Sequence, residues 1–397
     1  MNILLVSSFL PYPLYSGGHI RLYNLIKGLS GKHKITLICE KRDYQTEKDI
    51  REVEKICEKV ITVNRRKQWS WQNITASGFS ANPFLIVGHE NSDMTNKISE
   101  LLNNTDFDLI HAETFYILQN VPQTKIPIVL AEHNIEYLVY ERFTKNAPFF
   151  LKPFLYVDIA KMKYQEQKAW DRAKKLIAVS NQDKEEMGKR DVEIVPNGVG
   201  LQQFRIKNLE LRIKDKEKRI LFIGDFKWIE NRDAAKWILK EIWPEIYGKW
   251  KMANGKLTLW IVGKRIPPEI KSLGGENVIF DENAPADTNL IYQKADILLA
   301  PIRVGGGTSF KILEAMASGV PVITTNLGNS VNAREGGEII VAENSSDFAR
   351  KTIEILTDNK AYAGIANNAR KFIEENYTWE KIIKELEAVY KEAVKND

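Results

Sequence analysis

The sequence predicts an α/β protein with two similar halves, each a parallel β-sheet covered by helices on both faces. Short apolar runs alternate with stretches of helical periodicity from residue 3 onward, a pattern typical of parallel sheets. The same alternation begins again at residue 220, after a charged and weakly patterned segment at 202–218. With 397 residues, 44% of them hydrophobic, the chain is long enough for two domains.

The first half contains a series of apolar runs of strand length. A helix follows the first of them, since Leu22, Leu25 and Leu29 recur at helical spacing. Strands are predicted at 3–7, 35–39, 60–63, 109–112, 128–131, 176–180 and 192–195.

The second half repeats this rhythm and ends in a helix. A helix at 379–394 places Trp379, Leu386 and Tyr390 on one face, so that face must pack on another element. Further helices are predicted at 234–246 and 288–295, and strands at 220–223, 257–262, 278–280, 297–300 and 320–325.

Composition narrows the class of protein. The net charge of +5 comes from 57 basic and 52 acidic side chains, with no dense basic block, so no nucleic acid partner is expected. The two cysteines, Cys39 and Cys57, favour a reducing compartment. The N-terminus is interpreted as a first strand and not as a signal peptide, and no apolar run approaches the roughly 20 residues of a membrane span. These features predict a cytoplasmic protein without a transmembrane segment.

A glycine stretch, residues 303–325, is the strongest candidate for a binding site. It follows an apolar run, opens with three glycines at 305–307 and continues as a short helix. Glycines allow close approach of a ligand, and a helix N-terminus attracts anions, so a phosphate fits there. Glu314, in the first helical turns and two turns from the loop, could accept hydrogen bonds from sugar or ribose hydroxyls. The structural alternative is a flexible turn followed by an ordinary helix.

Four other segments follow predicted strands, where open parallel sheets bind ligands. The first ends in Gly17 and Gly18, where amides could meet a phosphate. The second, 132–136, contains His133, which has polar neighbours on both sides, although a lone histidine is more often structural. The other two, 224–233 and 263–265, contribute Gly224, Lys227, Asn231 and Lys264. Lysines on loops are usually only solvated.

A stretch at 137–170 is crowded with aromatic residues and lysines, including the run 149–156. Such a stretch could rest on a membrane surface. The alternative is a helical excursion that packs on its own domain. Elsewhere, Asp106 and Asp108 stand at the start of the strand that contains His111 and are interpreted as structural.

Several enzyme classes are disfavoured by missing motifs. The sequence contains no Gly-x-Ser-x-Gly, no Walker loop, no Gly-x-Gly-x-x-Gly and no His-Glu-x-x-His. Dehydrogenases, serine hydrolases and zinc peptidases are therefore not expected.

Together, these motifs resemble the retaining glycosyltransferases of family 4. The resemblance spans nearly the whole chain: 11–21 with its Gly-Gly, Glu-His-Asn at 132–134, Pro-Asn-Gly-Val at 196–199, 222–233, 295–297 and the final helix. Its most specific part is Gly-Gly-Gly-Thr followed by Lys-Ile-Leu-Glu-Ala-Met-Ala, within 305–317. The resemblance implies a GT-B fold of two Rossmann-like domains facing each other across a cleft. These would be an acceptor-side domain at 1–200, a donor domain at 201–375 and a helix at 376–397 that crosses back.

The resemblance also implies a role for each candidate residue. A nucleotide diphosphate sugar, either a UDP- or a GDP-sugar, would bind the second domain, with Glu314 on the ribose hydroxyls and residues 281–284 beside the base. Backbone amides of Gly307, Thr308, Ser309 and Phe310 would hold the diphosphate. His133 would face the donor sugar, and Gly17 and Gly18 would lie at the cleft. No metal or further cofactor is implied.

This sequence departs from the family pattern at two places. The family has two glutamates separated by seven residues; Glu314 is the second, but Gly306 occupies the position of the first. The usual Arg and Lys after the first donor-domain strand are replaced by Asp225 and Glu230. We therefore expect another cation to balance the diphosphate. The candidates are Lys311, Lys227, Arg303 and Lys264.

The predicted function is transfer of a hexose, with retention, to a hydroxyl acceptor such as a glycan, a lipid-linked saccharide or a small molecule. His133, Lys311 and Glu314 are the predicted catalytic residues, and domain closure would exclude water. Residues 137–170 could make a peripheral contact with the inner face of the membrane. Two alternatives stay open: a nucleotide-sugar epimerase or hydrolase, and a catalytically silent subunit that binds nucleotide sugar.

Overall fold

The structure is a computed structural model that describes residues 1–145, 147–188, 191–204, 206, 217–250, 255–285, 287–304 and 307–395. It divides into two compact units, which are Met1–Pro196 together with Trp379–Asp397, and Asn197–Thr378. The sequence-based boundary at 200 and 201 lies a few residues further along the chain. Within the charged segment at 202–218, where the domain boundary was expected, residues 205 and 207–216 lie outside the described residues.

The first unit contains one parallel sheet. Its strand order is β3-β2-β1-β4-β5-β6-β7, and every neighbouring pair is parallel. The first six positions follow the strand order of a Rossmann fold. The strands are β1 (Asn2–Ser7), β2 (Lys34–Lys41), β3 (Lys59–Asn64), β4 (Leu109–Glu113), β5 (Ile128–Glu132), β6 (Lys175–Ala178) and β7 (Val192–Ile194).

Helices cover this sheet, and the last helix of the chain is one of them. The helix Trp379–Val394 packs on Gly17–Leu29 so closely that a Cβ on Gly28 would lie 1.8 Å from Cδ1 of Ile383. Its buried residues include Trp379, Leu386 and Tyr390, the face predicted to pack. The other helices are Glu47–Glu54, Trp71–Phe79, Phe84–Val87, Ser92–Asn104, Phe115–Leu118, Glu136–Lys145, Lys152–Arg172 and Asn181–Glu186.

The second unit contains a six-stranded parallel sheet of order β10-β9-β8-β11-β12-β13. This is the Rossmann order as well, so the predicted class of two Rossmann-like domains is confirmed. The strands are β8 (Glu217–Ile223), β9 (Lys256–Val262), β10 (Val278–Asp281), β11 (Ile297–Ala300), β12 (Val322–Thr324) and β13 (Ile340–Val341).

The helix expected at 234–246 is longer than predicted. It begins at Ile229 and ends at Trp250, with a π-helical turn at Ile238–Ile242. Tryptophans at 237, 243 and 250 lie in the core of this unit. The other elements are a 3-10 turn at Leu201–Gln203 and the helices Pro268–Lys271, Thr288–Tyr292, Phe310–Ala317, Ser345–Thr357 and Asn359–Asn376.

Candidate active site

The second unit has a topological switch point between β8 and β11. From β8 the chain crosses to β9 on one side, and from β11 it crosses to β12 on the other. Helices therefore leave opposite faces of the sheet, and a crevice forms beyond the strand ends at Ile223 and Ala300. The glycine stretch follows β11 and the segment 224–233 follows β8. Two of the predicted site segments thus meet at the place where such sheets bind ligands.

Gly307 is the first described residue of the glycine stretch after the gap at 305–306, so the predicted position Gly306 lies outside the described residues. Gly307 has a φ of +72°, a conformation that glycine adopts without strain. The positive φ explains why a glycine occupies position 307. The binding role of its amide stays a prediction.

Two side chains hold the residues between Gly307 and the helix Phe310–Ala317. Nδ2 of Asn197 donates to the buried carbonyl oxygen of Thr308 at 2.8 Å. The backbone N–H of Ser309 donates to Oγ of Ser330 at 3.1 Å. The start of the helix is therefore fixed at the carboxyl edge of the sheet, where its dipole favours an anion.

Lys311 lies in the first turn of that helix. Its Nζ donates to Oδ1 of Asn231 at 2.6 Å and lies 5.0 Å from the ring centre of Phe222. Burial lowers the pKa of Lys311 to about 8, although the nearby carboxylate of Glu230 acts in the opposite direction. An ammonium in such surroundings gains more from a neighbouring anion than one in water. Lys311 and Asn231, predicted from separate segments, are thus brought together.

Glu314 lies one turn further along the same helix. Burial raises the pKa of its carboxyl to about 7, while hydrogen bonds with Tyr292 and Thr288 lower it and the charge of Asp287 adds to the rise. A carboxyl with such a pKa is partly protonated at neutral pH. Perturbed groups of this kind are concentrated at functional sites.

Gly224 and Gly263 are required by close packing of the strand ends. A Cβ on Gly263 would lie 1.9 Å from the carbonyl oxygen of Gly224, and a Cβ on Gly224 would lie 2.6 Å from Cγ of Asn231. The two loops after β8 and β9 therefore touch through their backbones. Nδ2 of Asn231 donates to the carbonyl oxygen of Asp225 at 2.9 Å, so the loop after β8 holds the side chain that accepts from Lys311.

The other candidate cations have different surroundings. Arg303 pairs with Asp233 at 3.0 Å, and its guanidinium lies 4.3 Å from the ring centre of Trp237. Lys227 lies 5.3 Å from the ring centre of Trp228, and Lys264 is exposed. Lys311 is therefore the candidate that the fold places in the first turn of the helix behind the glycines.

In the first unit, the structure brings Gly18 and His133 together. A Cβ on Gly18 would lie 3.6 Å from Nδ1 of His133 and 3.4 Å from the ring of Phe9. Gly17 is the first residue of the helix Gly17–Leu29, with Ser16 before it. The side chain of His133 is 18% exposed, so part of its imidazole reaches the surface. Small residues at the helix start leave room for this histidine.

A buried chain of polar groups leads away from His133. Its Nε2 makes a short hydrogen bond with Glu113, whose other oxygen lies 3.1 Å from Nε2 of His111. Nδ1 of His111 in turn lies 2.6 Å from the hydroxyl of Tyr390. Burial would raise the pKa of Glu113, but the two histidines hold it well below its usual range. Glu113 therefore stays ionised and orients His133.

Glu113 was not among the residues predicted from the sequence, and Tyr390 was predicted only to pack. A signal for Glu113 exists, because this carboxylate ends β4, beside the switch point between β1 and β4. Tyr390 gives no such signal. Its helical position predicts burial, but its contact with His111 spans 279 residues of sequence.

A second set of buried carboxylates fixes the loop that contains His133. Glu132 accepts a hydrogen bond from Nε1 of Trp170 at 3.0 Å. Glu166 accepts from the backbone N–H groups of Glu136 and Tyr137, at 2.9 and 3.1 Å. Burial raises the pKa of Glu166 to about 8 and that of Glu132 well above its usual range. These residues hold the helix Lys152–Arg172 to the segment that follows β5.

Comparison with known proteins agrees with this geometry. Residues 217–358 match the model of the family described as Glycosyl transferases group 1, and residues 15–203 match that of Glycosyltransferase Family 4. An uncharacterized 44.6 kDa protein in the cps region of Klebsiella pneumoniae is 25% identical over 401 residues, covering 97% of this chain and 98% of the relative.

Solved structures show the same fold. Sucrose-phosphate synthase from Thermosynechococcus elongatus superposes with a TM-score of 0.70 at 15% identity, covering 99% of both chains. Anabaena HepE, solved in complex with UDP and glucose, superposes with a TM-score of 0.65 at 15% identity, covering 99% of this chain and 100% of its own. The two family models between them match most of the sequence. The chain is therefore a glycosyltransferase with the GT-B fold.

Proposed function

We propose that the protein transfers a hexose from a nucleotide diphosphate sugar to a hydroxyl acceptor, with retention of configuration and without a metal ion. The observation that carries this proposal is Lys311, a partly buried lysine with a lowered pKa in the first turn of the helix behind the glycine stretch. Burial removes the water that stabilises the charge of Lys311, and an anion that binds there stabilises that charge instead.

The donor is proposed to bind along the glycine stretch and its helix. Backbone amides of Gly307, Thr308 and Phe310 and the ammonium of Lys311 contact the diphosphate, because they are positive groups at one helix start. The amide of Ser309 is engaged with Ser330 instead. Glu314 accepts hydrogen bonds from the ribose hydroxyls, and residues 281–284 border the base. UDP-sugars are the first donors to test and GDP-sugars the second, since HepE, which shares this fold, is solved with UDP and glucose.

The proposed reaction needs no protein nucleophile. The bond between C1 of the sugar and the diphosphate oxygen breaks, and the acceptor oxygen bonds to C1 on the same face. The acceptor proton passes to the departing diphosphate oxygen. Negative charge grows on the diphosphate as the bond breaks, so Lys311 stabilises the transition state more than the bound donor.

His133 is proposed to hydrogen-bond with a hydroxyl of the transferred sugar. Its Nε2 is engaged by Glu113, which leaves Nδ1, on the side of Gly18, for this contact. Because Gly306 replaces the carboxylate usual in the family, sugar recognition depends more strongly on His133 and on backbone groups.

Release of nucleoside diphosphate tests the proposal. Purified protein is incubated with UDP-glucose, UDP-N-acetylglucosamine or GDP-mannose, with and without glycan, lipid-linked saccharide and small hydroxyl acceptors. We expect release that depends on the acceptor. Release without acceptor indicates a hydrolase, conversion of the sugar indicates an epimerase, and binding without turnover across the panel indicates a silent subunit.

Two further measurements complete this test. The anomeric proton coupling of the product, followed by NMR before mutarotation, reports retention or inversion. Activity measured with and without a chelator reports whether a divalent cation takes part. We expect retention and full activity in the presence of the chelator.

A further inference from the structure

Two neighbouring segments of the first unit expose large aromatic side chains that no described part of the chain covers. Each of these side chains is 60% exposed or more. We call them the aromatic surface, and they are Trp69, Trp71, Phe79, Phe149, Phe150 and Phe154. Burying so many aromatic groups is strongly favourable, so their exposure indicates that another phase or molecule covers them.

The helix Lys152–Arg172 has two different apolar faces. Met162 and Trp170 are buried on one side, where they pack into the core of the unit. On the opposite side, Phe154, Val157 and Tyr164 follow one another at helical spacing and are 76%, 58% and 63% exposed. Packing on its own domain, the structural alternative for 137–170, therefore accounts for only one of the two faces.

The two segments of the aromatic surface are joined by hydrogen bonds. Nζ of Lys161, on the exposed side of the long helix, donates to the carbonyl oxygen of Ser77 at 2.8 Å. Nε2 of Gln165 donates to Oδ1 of Asn82 at 2.8 Å. The helix Trp71–Phe79 therefore lies beside the long helix, so the two sets of exposed aromatic residues belong to neighbouring elements.

Within the two segments the charged side chains are positive, and the nearest carboxylates in sequence to the second segment are Glu141 and Asp158 at its ends. Residues 65–84 contain three cations and no carboxylate, and residues 142–157 likewise contain three cations and no carboxylate. Arg66, Lys67 and Lys145 among them are exposed. An anionic partner is therefore favoured, and a second copy of the same surface is not, since it would place like charges opposite each other.

We propose that the aromatic surface binds a lipid bilayer that contains anionic headgroups. Trp, Tyr and Phe side chains partition into the headgroup region, and Lys and Arg beside them attract anionic lipid. No helix among the described residues is long and apolar enough to cross a membrane. The proposed contact therefore lies in the interface plane. It goes beyond glycosyl transfer and holds whether or not the acceptor is a lipid.

Vesicle sedimentation with the full chain tests this proposal. We expect the protein to bind phosphatidylcholine vesicles that contain phosphatidylglycerol, to bind pure phosphatidylcholine more weakly, and to dissociate as salt is raised. The double variant Trp71→Ser/Phe154→Ser should lose at least about tenfold in partition coefficient. Arg66→Glu/Lys67→Glu should lose at least about fivefold per charge, and only on anionic vesicles.

Tyr44→Ser is the matched control, because Tyr44 is 53% exposed in the same unit but lies outside the aromatic surface. Thermal unfolding and UDP binding of each variant show whether the fold and the donor site are intact, so failure here is distinct from failure of the proposed function. The proposal is overturned if the wild-type protein does not bind anionic vesicles, or if Tyr44→Ser loses as much binding to them as the double variant. It is equally overturned if the protein dimerises and Trp71→Ser/Phe154→Ser abolishes the dimer without changing lipid binding.

Discussion

Replacing Lys311 by Met tests the proposed donor site most directly. The substitution keeps the length of the side chain, removes its charge and turns the cation–π contact with Phe222 into an apolar one. If Lys311 is the counter-charge of the diphosphate, UDP loses at least one charge-assisted hydrogen bond. Such a bond contributes about 1.5–3 kcal/mol, so UDP should bind about 10- to 150-fold more weakly.

The pH dependence of UDP binding gives a sharper signature. Burial lowers the pKa of Lys311 to about 8 in the free protein, and a bound diphosphate raises it. Binding is therefore coupled to proton uptake once the pH exceeds about 8. The affinity of the wild type should fall by no more than about twofold between pH 7 and pH 8, because at least about half of Lys311 is still protonated there. It should fall by up to about tenfold per pH unit above that range.

Isothermal titration calorimetry of UDP from about pH 6 to about pH 10 measures both effects. Comparison with Lys311→Met removes the titration of the phosphate itself, since both proteins bind the same ligand. Lys236→Met is the control, because Lys236 is an exposed lysine of the same unit. If Lys311→Met keeps both the affinity and the fall above pH 8, Lys311 does not face the diphosphate.

Three further substitutions have expected outcomes. Glu314→Gln should weaken UDP binding. Burial raises the pKa of Glu314 to about 7, so the stability of the wild type falls as the pH rises from about 4.3 to about 7. The variant should not show this fall, and thermal unfolding of both proteins measures the difference. Glu113→Gln should lower the free energy of unfolding in urea by about 3 kcal/mol at neutral pH and should lower kcat, because His133 loses its ionised partner. Since the pKa of Glu113 is depressed, that stability is present above about pH 4.3 and disappears in acid. An unchanged urea midpoint would contradict this account. Gly263→Ala should destabilise the protein by about 2 kcal/mol or more and weaken UDP binding, because the new Cβ would meet the carbonyl oxygen of Gly224. An unfolding curve like that of the wild type would show that the two loops can separate.

Local sequence patterns predicted every described strand except β13, and they located the candidate site segments after strands. Buried parallel strands are short apolar runs between turn residues, so the pattern is legible one segment at a time. The helices Glu47–Glu54 and Ser92–Asn104 were not predicted, because their mostly polar sequences show only a narrow apolar stripe. The glycine stretch and the segment with His133 were found because each follows a strand.

The sequence by itself determined the two-halved α/β architecture and the segments at the carboxyl ends of the strands. Only the tertiary structure decided which of those residues meet. Lys311 binds Asn231 across 80 residues, and His111 contacts Tyr390 across 279. The physical reason is that periodicity reports the local conformation and burial of a segment, whereas contacts between distant side chains depend on strand order and helix packing. The tertiary structure also decided which side of the helix Lys152–Arg172 is exposed, since apolar periodicity does not tell which side the core will cover.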